Sequence, residues 1–188
     1  MNTLISLHSA LFRSLENGVA PWLMPTLARF LFAAILLLYY WNSGLTKLGE
    51  GIFGIFSPSD GAYIQIFPKG FEAVGYDGSQ FGRFHTLGVL AGTGAEFILP
   101  LLIVAGLLTR LSALGMSGVV VVQTLTDLYG HGGIAHAETL GAWFDRIPDA
   151  IVFDQRSLWI FLLLVIVMRG PGPFSLDRIL GIEAREEE

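Results

Sequence analysis

The sequence predicts an all-α polytopic membrane protein: a four-helix transmembrane bundle with an N-terminal interfacial helix and long extracytoplasmic loops. Three observations lead there. Of 188 residues, 53% are hydrophobic and only 14% charged, against about 25% charge in ordinary soluble domains. Several apolar stretches reach the roughly 20 residues that a helix needs to cross a hydrocarbon core. One of those stretches carries a carboxylate, Glu96, near its middle. A group of that kind persists in a membrane only where it faces protein or water.

At the N-terminus, Leu4, Ile5, Leu7, Leu11, Phe12 and Leu15 recur at helical spacing, interrupted by Arg13 and Glu16. A secretory signal would have a clean apolar run there. Residues 3–17 therefore read as a short amphipathic helix in the membrane interface, within an N-terminal segment 1–25, with Pro21 and Trp22 turning the chain inward. A water-exposed helix is the competing reading. The four-span domain occupies 26–180, with spans near 26–45, 84–108, 111–129 and 150–169. Thr109-Arg110 leaves only a tight hairpin between the second and third spans. An acidic tail, 181–188, ends the chain.

With four spans, both termini and the hairpin share one side. Arg13, Arg29, Arg110, Arg169, Arg178 and Arg185 lie there, while the long loops opposite are acid-rich. The positive-inside tendency places both termini in the cytoplasm of a bacterial-type inner membrane. Net charge of -5 and the absence of cysteine remove a basic nucleic-acid face, thiolate chemistry and Cys-based metal or Fe–S sites. His131, His136 and Glu138, with His85 on the same side, match no metal-ligand spacing and read as a solvated loop. The aromatic-rich loop from Phe53 to Phe81 reads either as a lid over the bundle or as an interfacial belt.

Helix rise then locates a polar layer. If Arg29, Arg110 and Arg169 mark one membrane edge, Glu96 stands about 21 Å above it and Gln123, Asn42 and Arg156 about 20 Å. Asp154 stands at about 23 Å, and Asp127 lies one turn above Gln123. Arg156 finds its first partner in Glu96 and its second in Asp127. Tyr40 and Lys47 extend the set from the first span. Gly88 and Gly92 share the Glu96 stripe and admit a neighbouring helix, and Pro100 frees the Glu96 carbonyl and invites a kink. Two readings fit: a ligand or proton site with Glu96 as acid/base, or buried pairs that fix helix register.

The order of several features resembles the DoxX family of small four-span membrane proteins. These are Arg29 opening the first span, Gly44 with Lys47 closing it, Glu96 in the second, Leu107-Leu108-Thr109-Arg110 at the hairpin, and Gly170-Pro171-Gly172-Pro173-Phe174-Ser175-Leu176-Asp177 after the fourth. The similarity covers residues 27–180; the outer loops are longer than in short family members. It implies a redox-linked, quinone-associated inner-membrane subunit or anchor of an oxidoreductase system, with a quinone as ligand and no covalently bound cofactor. An accessory subunit beside a soluble or membrane oxidoreductase is expected over a stand-alone catalyst, since no redox-cofactor motif is present. A small-molecule carrier or sensor, or a structural assembly factor, would use the same cluster.

Overall fold

A computed structural model describes residues 2–182, so the tail carboxylates Glu183, Glu186, Glu187 and Glu188 lie outside the described residues. The described chain is helical, with one isolated antiparallel bridge, Leu48 to Pro58. Four helices are long and apolar enough to cross a membrane: Ala20–Leu45, Arg83–Ala105, Thr109–Gly130 and Ile151–Arg169. They fall on the four expected stretches and make this a multi-pass membrane protein by length and composition. Only 22–28% of each apolar window is buried, so most of its apolar surface faces outward, where a bilayer would cover it. A separate helix, Asn2–Gly18, precedes the first span, and Pro21 in the next helix's opening turn marks the restart.

The core runs along one stripe per span. Ala28, Phe32, Leu36 and Tyr40 of the first meet Ala113, Met116 and Val120 of the third and Leu163 and Ile166 of the fourth. Those spacings of three and four residues put each set on a single helix face. Gly44 brings the first and second spans together, since a Cβ there would stand 2.7 Å from the Phe97 ring. The second helix continues unbroken through Pro100 and ends at Gly106, whose φ of +72° closes the turn.

Three spans contain a π-helical segment, Ala33–Leu37, Thr126–Gly130 and Ile151–Arg156. Each such segment inserts an extra residue per turn and rotates the side chains beyond it. Asp127 and Arg156 both sit in one.

The end of the bundle near Arg29 is tied by charge against backbone. The buried Arg29 guanidinium donates to the carbonyls of Ile103 (2.9 Å), Val104 (2.6 Å), Pro171 (2.7 Å) and Phe174 (2.6 Å). Asp177, 1% exposed, accepts from the backbone N–H of Leu108 (2.7 Å) and Thr109 (2.8 Å) and from the Thr109 hydroxyl (2.7 Å). It thus caps the third span, satisfying donors that a helix start leaves open. From sequence the same residue reads as a cap for its own following turn; Ser175 fills that role instead.

At the opposite end, residues 46–82 fold down as the short helices Asp60–Ile66 and Pro68–Ala73. Tyr63, Phe71 and Ala62 bury against Val89 of the second span, with Phe67 and Phe81 alongside. Gly88 and Gly92 admit this loop, not a neighbouring span: Cβ atoms there would lie 3.3 Å from the Phe67 ring and 3.4 Å from Ile66. His85 belongs to the same aromatic packing, its ring stacked 4.5 Å from Phe81. It lies in the first turn of the second span, where the sequence places it.

Candidate functional site

Beneath that loop lies a cavity of about 440 Å³. The first span contributes Ser43 and, just past its end, Lys47; the second contributes Glu96; the third contributes Gln123 and Asp127; the loop lays Gln65 and Ile66 across it. Lys47, only 4% exposed, sits with its ammonium 2.8 and 3.0 Å from the two Glu96 oxygens. Ser43 completes the group: its hydroxyl accepts from Lys47 (2.7 Å) and donates to Glu96 (3.3 Å), and its carbonyl accepts from Lys47 (3.1 Å). A buried lysine and carboxylate need each other and further hydrogen-bond partners, and all are present here.

Arg156 does not pair with Glu96, its first partner by height. It bonds Asp127 and the Thr124 hydroxyl (3.2 Å). Axial rise fixes height alone, whereas the π segments at Asp127 and Arg156 turn both side chains toward each other across the third and fourth spans. Asp127 therefore faces two ways, lining the cavity while holding Arg156 behind it.

Gln123 lines the cavity and is held by two tyrosines: its amide nitrogen donates to Tyr39 (2.8 Å), and Tyr40 reaches its carbonyl oxygen at 3.5 Å. Tyr40 is fully buried and acts on Gln123 from behind the wall. Two expected members fall away from the cluster. Asn42 is exposed on the outward face of the first span, at the right height but the wrong azimuth. Asp154 accepts from the backbone N–H of Ala150 (2.9 Å), closing the start of the fourth helix.

Ser43, Thr124 and Gln65 join the polar region without having been singled out by sequence, and His131, read from sequence as part of a solvated loop, reaches the cavity rim. For Ser43 a signal existed: it lies four residues before Lys47, one helical turn away on the same face. No comparable signal exists for Gln65 and His131, which depend on loop packing; the His131 ring nitrogen lies 3.4 Å from the Gln65 carbonyl. Among the described residues, no group of three or more His, Asp or Glu side chains is arranged to hold a metal ion.

The chemistry open to this arrangement is hydrogen bonding and proton exchange. Lys47 donates, Glu96 accepts or passes a proton, and the Gln123 amide can orient a carbonyl or hydroxyl. No family model, curated protein or solved structure matches the chain.

Proposed function

We propose that this is a DoxX-like, quinone-associated membrane subunit or anchor of an oxidoreductase system, and that the cavity receives the head group of its lipophilic ligand. One observation carries the reading: a buried Lys47–Glu96 pair borders empty space, with Gln123 and Asp127 also on the cavity wall. Pairs that serve only to fix helix register are normally packed on all sides. A quinone ring offers two carbonyls: the Gln123 amide has one N–H to spare for the first, and the Lys47 ammonium binds the other by giving up a Ser43 contact. Glu96 relays from solvent, one at a time, the two protons taken up with the two electrons that yield a hydroquinone. The chain carries no redox-cofactor motif, so electrons come from a partner protein or from the ligand itself.

In this reading the Arg29 end faces the cytoplasm of a bacterial-type inner membrane, and the aromatic loop faces outward. The helix Asn2–Gly18 lies in the interface: Leu4, Ile5, Leu7 and Leu11 are all more than half exposed, an apolar face suited to the acyl boundary.

A carrier or sensor of small polar molecules is favoured by one feature, the exposure of His131 on the cavity rim. Gentle detergent extraction followed by mass spectrometry of co-purifying proteins and lipids separates the readings. The proposal expects a quinone and a redox protein in the extract, both diminished by Glu96→Gln. Recovery of the bare polypeptide, with Glu96→Gln abolishing uptake or efflux of a solute, would replace it with the carrier.

A further inference from the structure

We infer that the cavity's ligand is an amphiphile with an uncharged head and a long apolar tail, entering sideways between the second and third spans past Gly118. This rests on the head-group reading above and adds the ligand's tail, charge and route.

The charges on the cavity wall cancel. Lys47 is matched by Glu96, and Asp127 by Arg156, so the polar wall carries no net charge. A charged head would enter with no partner in a region where desolvation of an ion is expensive. An uncharged head with carbonyl or hydroxyl groups has no such difficulty.

The route is marked by wall residues that also face outward. Gly115, Gly118 and Val122 of the third span line the cavity and are exposed on the span's own surface. At steps of three and four residues they share one face. A residue that touches both the cavity and the exterior marks an opening in the wall. At Gly118 the opening is unfilled: a Cβ there would meet nothing within 4 Å. At the loop end one wall residue, His131, is exposed as well, but the space around it is taken up by the loop. Ile66 reaches toward Gly92, and the Pro68 ring sits so near Gly130 that a Cβ there would stand 2.7 Å from it.

The tail has a path as well. Leu111 and Leu114, 66% and 59% exposed, continue the Gly118 face along the third span. A chain leaving the gap therefore lies on an apolar helix face inside the bilayer's hydrocarbon layer, where its transfer free energy is favourable.

The experiment uses the full chain in lipid nanodiscs, with a benzoquinone bearing a long isoprenoid tail and the same ring without a tail as probes. Gly118→Leu places a branched side chain in the gap, and melting temperature reports that the fold is kept. The expected result is a loss of about tenfold or more in affinity for the tailed quinone with little change for the bare ring. Equal affinity of Gly118→Leu and the parent chain for the tailed probe would overturn the lateral route. Equal affinity of the parent chain for both probes would overturn the tail, and tighter binding of a tailed quaternary ammonium would overturn the uncharged head. Failure of the parent chain to bind either quinone would overturn the head-group reading itself, and this inference with it. A photoreactive group at the tail's end gives a measurement needing no variant: labelling near Leu111 and Leu114 is expected, and labelling near His131 instead would contradict the route.

Discussion

The two ends of the bundle use charge in opposite ways. At one end Arg29 and Asp177 are satisfied by backbone: four carbonyls for the guanidinium, two N–H groups and a hydroxyl for the carboxylate. At the other, Lys47 pairs with Glu96 and Arg156 with Asp127, side chain to side chain, and three of these four residues border a cavity. Backbone partners cannot be exchanged without unfolding a helix end, so the first arrangement is a clamp. Side-chain partners can rotate, exchange protons or accept a ligand, so the second is where chemistry is available.

The contrast is tested most severely at Arg29. Arg29→Met takes a donor from four carbonyls, of which Ile103 keeps the Gly106 N–H (3.2 Å), and a loss of about 3–5 kcal/mol is expected, read as a large fall in melting temperature in detergent. No single compensating change should rescue it, because its partners are main-chain atoms. Rescue by any one surface substitution would break the distinction between clamp and cavity.

Arg156→Met should cost less, about 2–3 kcal/mol, because it strands the partly exposed Asp127. Adding Asp127→Asn should restore much of that loss, since removing both members of a pair relieves the uncompensated charge. Double-variant melting curves check this, and additive losses would show that the two residues act independently.

The paired change Lys47→Met with Glu96→Gln should alter stability by about 1 kcal/mol or less, since neutral replacement of a buried pair is often nearly neutral. Its effect belongs in ligand binding. A collapse of stability equal to that of Arg29→Met would make the Lys47 end a clamp too.

The smallest effect lies outside the spans, at Asp77. The Ser79 hydroxyl (2.6 Å) and N–H (2.9 Å) and the Gln80 amide (3.2 Å) donate to its carboxylate and hold its pKa below the ordinary value. Because the folded pKa is depressed, the turn's contribution is complete above about pH 4, the unfolded value, and is lost as pH falls through the lower folded one. Faster amide exchange at Ser79 in acid is the expected sign. Unchanged exchange there would mean the turn is held by its neighbours.

Much of the bundle was legible because few physical terms decide it. Run length and composition set the four spans, and the tight link expected at Thr109-Arg110 falls three residues earlier, at 106–108, where Gly106 ends the second helix. Height in the membrane was also readable, since rise per residue is nearly constant. Glu96, Lys47, Gln123 and Asp127 do meet at one cavity. Azimuth was not readable: a π-helical segment leaves height almost unchanged but rotates the residues beyond it, and this decided Asp127 over Glu96 as the partner of Arg156. Asn42 failed for the same reason, at the right level on the outward face. The roof over the cavity was hidden in a different way. Tyr63, Phe71 and Phe81 make a small core only with Val89, a contact that no local pattern encodes.

Whether the Lys47–Glu96 pair binds a ligand head group or merely holds helices together decides between a working site and a second clamp. The decisive comparison is native mass spectrometry of the parent chain and of the Lys47→Met, Glu96→Gln double variant, extracted from the same membranes. A bound quinone-like amphiphile is expected on the parent, and its loss from the double variant at unchanged melting temperature. Equal occupancy on both would show that the pair does not bind the ligand.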